Sequence, residues 1–168
     1  MKNKSVSKGL MFCVMLTLAL VIQVNAGFAQ KQSFDFQKSF IQSFNYPDEL
    51  RSACTPTFTN LLISVSSKGQ VEDMLISDSA SDSFKNAFNL MKGSLDTSAL
   101  KSIIAVNKLK SCNIIMPIFY VYASDYCTNT FEPIGYLSEN YLLFNGHSMH
   151  KLSFNLKPVM ISLYKPVH

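Results

Sequence analysis

Four groups of residues carry side chains whose types and spacing suit chemistry. His147, His150 and His168 are the only histidines. On a helix, the first two would share a face and could share a metal ion. The adjoining Asn145-Gly146 pair instead favours a hairpin, whose strand would send them to opposite faces. They are expected at solvent-facing hairpin positions. Residues 77–83 hold Asp78 and Asp82 among serines, without the further acids and central glycine of a calcium loop. Helix capping accounts for them better. Cys112 follows Lys108 and Lys110, whose charge would favour a thiolate, but no histidine is placed as its base. Phe84, Phe88, Phe119 and Tyr120 are expected in the core rather than as a ligand platform. No Gly-x-Ser-x-Gly, His-Glu-x-x-His or Gly-rich phosphate loop occurs. The sequence therefore gives no reason to expect a catalytic residue, a metal or a cofactor.

The N-terminus bears on how the cysteines are used. Lys2, Lys4 and Lys8 precede an apolar run over residues 10–22, and small residues follow at Ala26-Gly27-Phe28-Ala29. This is the pattern of a cleaved signal peptide, expected to occupy residues 1–29, with cleavage after Ala26 or Ala29. The run falls short of the roughly 20 apolar residues that span a bilayer. Phe12 before Cys13 does not fit a lipoprotein signal. The chain is expected to be periplasmic or secreted, with no stable membrane anchor once the signal is removed. Loss of three lysines turns the formal charge of +4 into +1, which argues against a nucleic-acid partner. Cys54, Cys112 and Cys127 remain. An oxidising compartment would pair two of them and leave one thiol over.

One domain, residues 46–168, is expected after an N-terminal arm or short helix over 30–45. In that arm Phe36, Phe40, Ile41 and Phe44 fit a helical face, while Phe34 and Phe36 alone would fit a strand. Tyr46-Pro47-Asp48-Glu49-Leu50 predicts a short helix with Pro47 at its first position and acids in its first turn. Leu61, Ile63 and Val65 then point to one face, with Ser64 and Ser66 on the other. Met74 and Ile76 alternate with Asp73 and Leu75 beyond a Ser67-Lys68-Gly69-Gln70 turn, which makes a hairpin. Phe84, Ala87, Phe88 and Met91 form a helical stripe that Gly93 ends. A second helical stretch turns Leu100, Ile103 and Ile104 inward. Residues 114–123 are dense in β-branched and aromatic side chains and predict a strand. Pro117 would place that strand at an edge or make it irregular. A β appendage over 131–168 follows, with a hairpin at Asn145-Gly146 and a final strand through Val159, Ile161 and Leu163.

The order of short helix, hairpin, helical crossover and third strand resembles the C-terminal domain of the TonB family of periplasmic proteins. The likeness rests on Tyr46-Pro47, the hairpin with Gly69 before Gln70-Val71, and the exit Ser77-Asp78-Ser79. Asp82 before a helix carrying Ala87, and the closing Pro117-Ile118-Phe119, complete it. It covers residues 46–123. A TonB energy transducer has a membrane anchor and a long Pro-rich spacer; this chain has six scattered prolines and a divergent, longer helical segment.

The resemblance implies an α+β fold, a small antiparallel sheet with helices packed on one face; the C-terminal β appendage, which has no counterpart in that family, is expected in addition. The resemblance also implies that the third strand runs antiparallel to the first. Cys127 would then lie beside Cys54, giving a Cys54–Cys127 disulfide with Cys112 free; a parallel arrangement would give Cys54–Cys112 instead. Pro117, Ile118, Phe119 and Tyr120 would form an edge strand able to accept a partner's strand, unless the C-terminal strand already covers it. The expected function is a non-enzymatic protein-interaction module of the cell envelope that binds a protein or peptide. A secreted hydrolase or thiol-dependent enzyme with a dispersed site is the alternative, as is a self-associating component that forms a homodimer.

Overall fold

A computed structural model of the chain describes residues 31–123, 127 and 139–164. The expected signal segment, His168 and the start of the C-terminal appendage lie outside them. Helix α1 covers residues 31–43. Its four-residue spacing stacks Phe36, Phe40 and the following Phe44 on one buried stripe. Ile41, expected on that face, is 45% exposed, because one step past Phe40 rotates a side chain by about 100°. Helix α2, Asp48–Ser52, begins one residue later than expected: Pro47 is its N-cap, and the Pro47 carbonyl accepts from the Arg51 N–H at 3.0 Å.

Strands β1 (Thr57–Val65) and β2 (Val71–Ile76) form the antiparallel hairpin, with Leu61 opposite Ile76 and Ile63 opposite Met74. Gly69 takes φ +75° in the turn, a conformation that side chains disfavour. Ser66 organises this turn. Its Oγ accepts from the N–H groups of Lys68 (3.2 Å) and Gln70 (3.0 Å). Helix α3, Asp82–Met91, is capped by Ser81, whose Oγ accepts from the Phe84 N–H. Its buried stripe is Phe84 and Phe88. A 3₁₀ turn over Lys92–Ser94 then leads to α4, Ser98–Val106, which buries Leu100, Ile103 and Ile104.

Strand β3, Cys112–Tyr122, pairs antiparallel with β1 along its length, from Thr57 opposite Tyr120 to Val65 opposite Cys112. Strands β4 (Leu143–Phe144) and β5 (His147–Ser148) form a separate hairpin. Asn145 and Gly146 both adopt positive φ, as a two-residue turn of this kind demands. Strands β6 (Ser153–Asn155) and β7 (Val159–Leu163) both join the far side of β3, and both run parallel to it. The sheet is therefore mixed rather than wholly antiparallel, ordered β2-β1-β3 with β6 and β7 end to end outside. Chain direction explains the difference. After β3 the chain returns to that strand's starting end before adding the outer strands, a crossover of the length that parallel pairing requires.

Pro117 consequently does not mark an edge. Asn113 N–H donates to Leu152 O, Leu156 N–H donates to Ile115 O, and Ala123 N–H donates to Leu163 O. Odd-numbered residues of β3 thus face β6 and β7, and the donor that proline lacks is missing on that side, leaving the β1 ladder intact. Pro117 falls between the two outer strands. The register there slips by one residue, from Ile115 opposite Asn155 to Ile118 opposite Val159.

The two faces of the sheet are covered differently. Leu61, Ile63, Val65, Ile114, Met116 and Ile118 form one core with α1, α3 and α4. On the other face Leu62 and Ile115 pack with Phe144 of the small hairpin. Cover on both sides makes β1 almost continuously buried, where a one-sided sheet would alternate.

Candidate functional site

Cys54 and Cys127 form a disulfide with their α-carbons 5.4 Å apart, within the separation that bridging allows. The antiparallel β1–β3 pairing brings the end of β3 beside the start of β1. Two hydrogen bonds tie the same corner: Tyr122 Oη donates to Leu50 O (3.0 Å), and Tyr46 Oη donates to Thr55 O. Burial pushes the Tyr46 phenol up to about 12, against the lowering effect of its Thr57 hydrogen bond. Tyr120, stacked on Tyr46 at 4.6 Å between ring centroids, is also raised by burial. Both belong to an aromatic core with Phe40, Phe44, Phe84 and Phe88. Phe119 points the other way and meets Phe58, with ring centroids 5.2 Å apart.

The remaining candidates stay apart. Cys112 is buried in the core at the start of β3 and unpaired, out of reach of the solvent that a nucleophilic thiol needs. His147 and His150 are exposed. Among the described residues no three His, Cys, Asp or Glu side chains gather around a metal position. The serine-rich exit from β2 serves the fold. Ser77 Oγ accepts the Asn60 N–H (3.0 Å) and lies 2.8 Å from Thr59 Oγ1 and 2.9 Å from Ser79 Oγ. Ser79 in turn donates to Phe58 O.

The expected edge at Pro117, Ile118, Phe119 and Tyr120 is not open. Strand β7 pairs with it from Ile118 to Tyr122, because the C-terminal strand takes the position a partner would have used. Among the described residues the open sides of the sheet lie instead on β2 and on the outer strands β6 and β7. On β2 the outward Met74 N–H is taken by the Asp73 carboxylate at 2.7 Å, and Lys92 reaches that carboxylate at 3.4 Å. Charged residues and a self-satisfied donor blunt this edge.

On β7 the Leu163 carbonyl faces β3. The N–H and C=O groups of Met160 and Ser162 therefore face outward, and β3 is the only strand paired with β7 among the described residues. Met160 and Tyr164 are each 70% exposed. Val159 and Leu163 are buried on the helical face and hold the strand in register. The sequence placed this strand correctly and allowed for its covering the third strand; its parallel direction depends on a crossover that the sequence did not show.

No helix among the described residues is long and apolar enough to cross a membrane. Compared with known proteins, the chain matches no family model, no curated protein and no solved structure.

Proposed function

We propose that the chain is an exported protein-interaction module of the cell envelope, binding an extended segment of a partner protein by strand addition along β7. The observation that carries this reading is the outward row of backbone groups at Met160 and Ser162, flanked by exposed apolar side chains. An added strand would complete those hydrogen bonds, while Met160 and Tyr164 would supply apolar contact. The opposite edge, β2, carries charges that discourage the same pairing. The TonB-like reading of the sequence agrees on the mode of binding and differs on the strand that performs it.

The test is recovery of partners from envelope extract by the wild-type chain and by Ser162→Pro. Proline at 162 removes an outward N–H and leaves the inward-facing groups of Ile161 and Leu163 in place. Proteins recovered by the wild type and lost with Ser162→Pro, at unchanged thermal stability, are the expected result. Equal recovery by both chains, or recovery of nothing at low and high salt, would overturn the reading. A wild-type dimer that Ser162→Pro dissolves would mean that a second copy of this chain occupies the edge.

A further inference from the structure

At the end of the molecule where α4 stops, an open cleft of about 320 Å³ lies between the β1–β2 turn and the loop entering β3. Lys68, Lys101, Lys108 and Lys110 line it, around a floor that includes Ile104 and Leu109, and none of the described residues lining it is acidic. Both ion pairs among the described residues, Lys85–Asp78 and Lys92–Asp73, involve other lysines. A chain expected to carry a net charge of only +1 after signal removal thus gathers four lysines around one concave place, Lys101 also lying within electrostatic reach of Asp96. The field of such a group is focused by low-dielectric walls.

The walls are firmly built. Ser66 O accepts the N–H groups of Gly69 and Ser111, each at 3.0 Å, joining the turn to the loop. Gly69 comes so close to the loop that a Cβ there would meet Leu109 O at 3.4 Å. The C-terminus of α4 closes with the Leu109 N–H on Ile104 O (2.9 Å) and the Lys108 N–H on Ala105 O (3.2 Å). This double closure places Lys108 at φ +53°, a position usually given to glycine. The carbonyls of Ile103, Ile104 and Ala105 are answered by the backbone, so the lysine charges are not needed to cap them. The nearby N–H groups of Lys68, Gly69 and Gln70 are also taken internally. Recognition at this place falls to ammonium groups, which act as point charges and suit a multiply charged anion.

We propose that this cleft binds a phosphate-class anion carrying at least two negative charges, through Lys68, Lys101, Lys108 and Lys110, with Ile104 and Leu109 meeting an apolar portion of the ligand. The proposal is independent of the β7 reading, which concerns another part of the molecule. Inorganic pyrophosphate serves as the soluble probe. Vesicles containing phosphatidic acid, whose phosphomonoester headgroup can carry two negative charges, compared with vesicles of phosphatidylcholine alone, serve as the lipid probe. The chain without residues 1–29 is tested at low salt beside Lys68→Glu/Lys110→Glu and a charge-matched control, Lys38→Glu/Lys151→Glu.

Binding to one probe or both is expected, weakened at least about tenfold by the cleft variant and much less by the control, and weakened again by added salt. Pyrophosphate binding would identify a soluble phosphate ester as the natural class, and binding to vesicles alone would identify a lipid headgroup. Absence of binding to both probes would overturn the proposal, as would equal weakening by the cleft variant and the control.

Discussion

The carboxylate of Asp78 accepts the backbone N–H groups of Gly146 (2.7 Å) and Asn145 (3.1 Å). A residue at the exit of β2 thereby holds the tip of the β4–β5 hairpin. The Asp78 N–H donates to Leu143 O (2.8 Å) and the Asn60 side chain donates to Tyr141 O (2.7 Å). Together these bonds lay Phe144 over Leu62 and Ile115, closing the face of the sheet that the helices leave uncovered. Asp78 was read from sequence as part of a capping segment; its partners lie far along the chain, and only the fold brings them together.

Replacing Asp78 with Ala is therefore expected to destabilise the chain by about 2 kcal/mol, the scale of losing hydrogen bonds to a charged acceptor. Denaturant unfolding followed by circular dichroism measures this. Asp82→Ala, outside these bonds and beside the Ser81 cap, is expected to shift the midpoint by less than half as much.

The Cys54–Cys127 bond spans 73 residues. A loop of that size restricts the unfolded chain by about 4.5 kcal/mol in the chain-entropy estimate. Cys54→Ser/Cys127→Ser should lower stability by a large part of that amount. Non-reducing peptide mapping should join the peptides holding these two cysteines. Cys112 should react with an alkylating reagent only after the chain is unfolded, since it is buried.

Two glycines make a controlled pair. At Gly69 a Cβ would make only ordinary contact with Leu109 O and Ile104 Cγ2, at 3.4 and 3.5 Å, but the backbone lies at φ +75°, so Gly69→Ala should cost about 1–2 kcal/mol. At Gly93 nothing lies within 4 Å of an added Cβ. Gly93→Ala should be neutral or stabilise by up to about 1 kcal/mol, by restricting the unfolded chain. Thermal melts of the two variants read the contrast directly.

Alkaline pH should unfold the protein through its buried phenols. Tyr46 is pushed from its ordinary value of 10.0 up to about 12, and Tyr120 is also raised, both by burial. In the unfolded chain these groups lose their protons first. Stability is thus full below the ordinary value and falls as pH rises through it towards the folded value. Denaturation midpoints measured from neutral pH upward should decline across that interval, with tyrosinate absorbance appearing together with unfolding. Tyr46→Phe should flatten the decline.

Sequence patterning exposed most of the local structure for a physical reason: each element's period is written in residues a few positions apart. The β1–β2 hairpin follows from Leu61, Ile63, Val65 and the Gly69 turn, and α3 from Phe84, Phe88 and its Ser81 cap. The Asn145-Gly146 turn was legible in the same way, although its strands are only two residues each. Ile41 and Pro47 were displaced by a single position, the distance over which propensity and packing compete at helix faces and ends.

The amino-acid order alone determined an α+β chain with a hairpin, two linked helices, a long third strand and a strand near the end. Which strands became neighbours was decided only in three dimensions. Backbone pairing is indifferent to side-chain type, so nothing written in Val159–Leu163 decides between leaving Pro117–Tyr120 open and covering it, or says that the strand will lie parallel to β3. Charge convergence is equally hidden. Lys68 and Lys101 stand far apart in the chain, and only the approach of Gly69 to Leu109 sets them around one cleft.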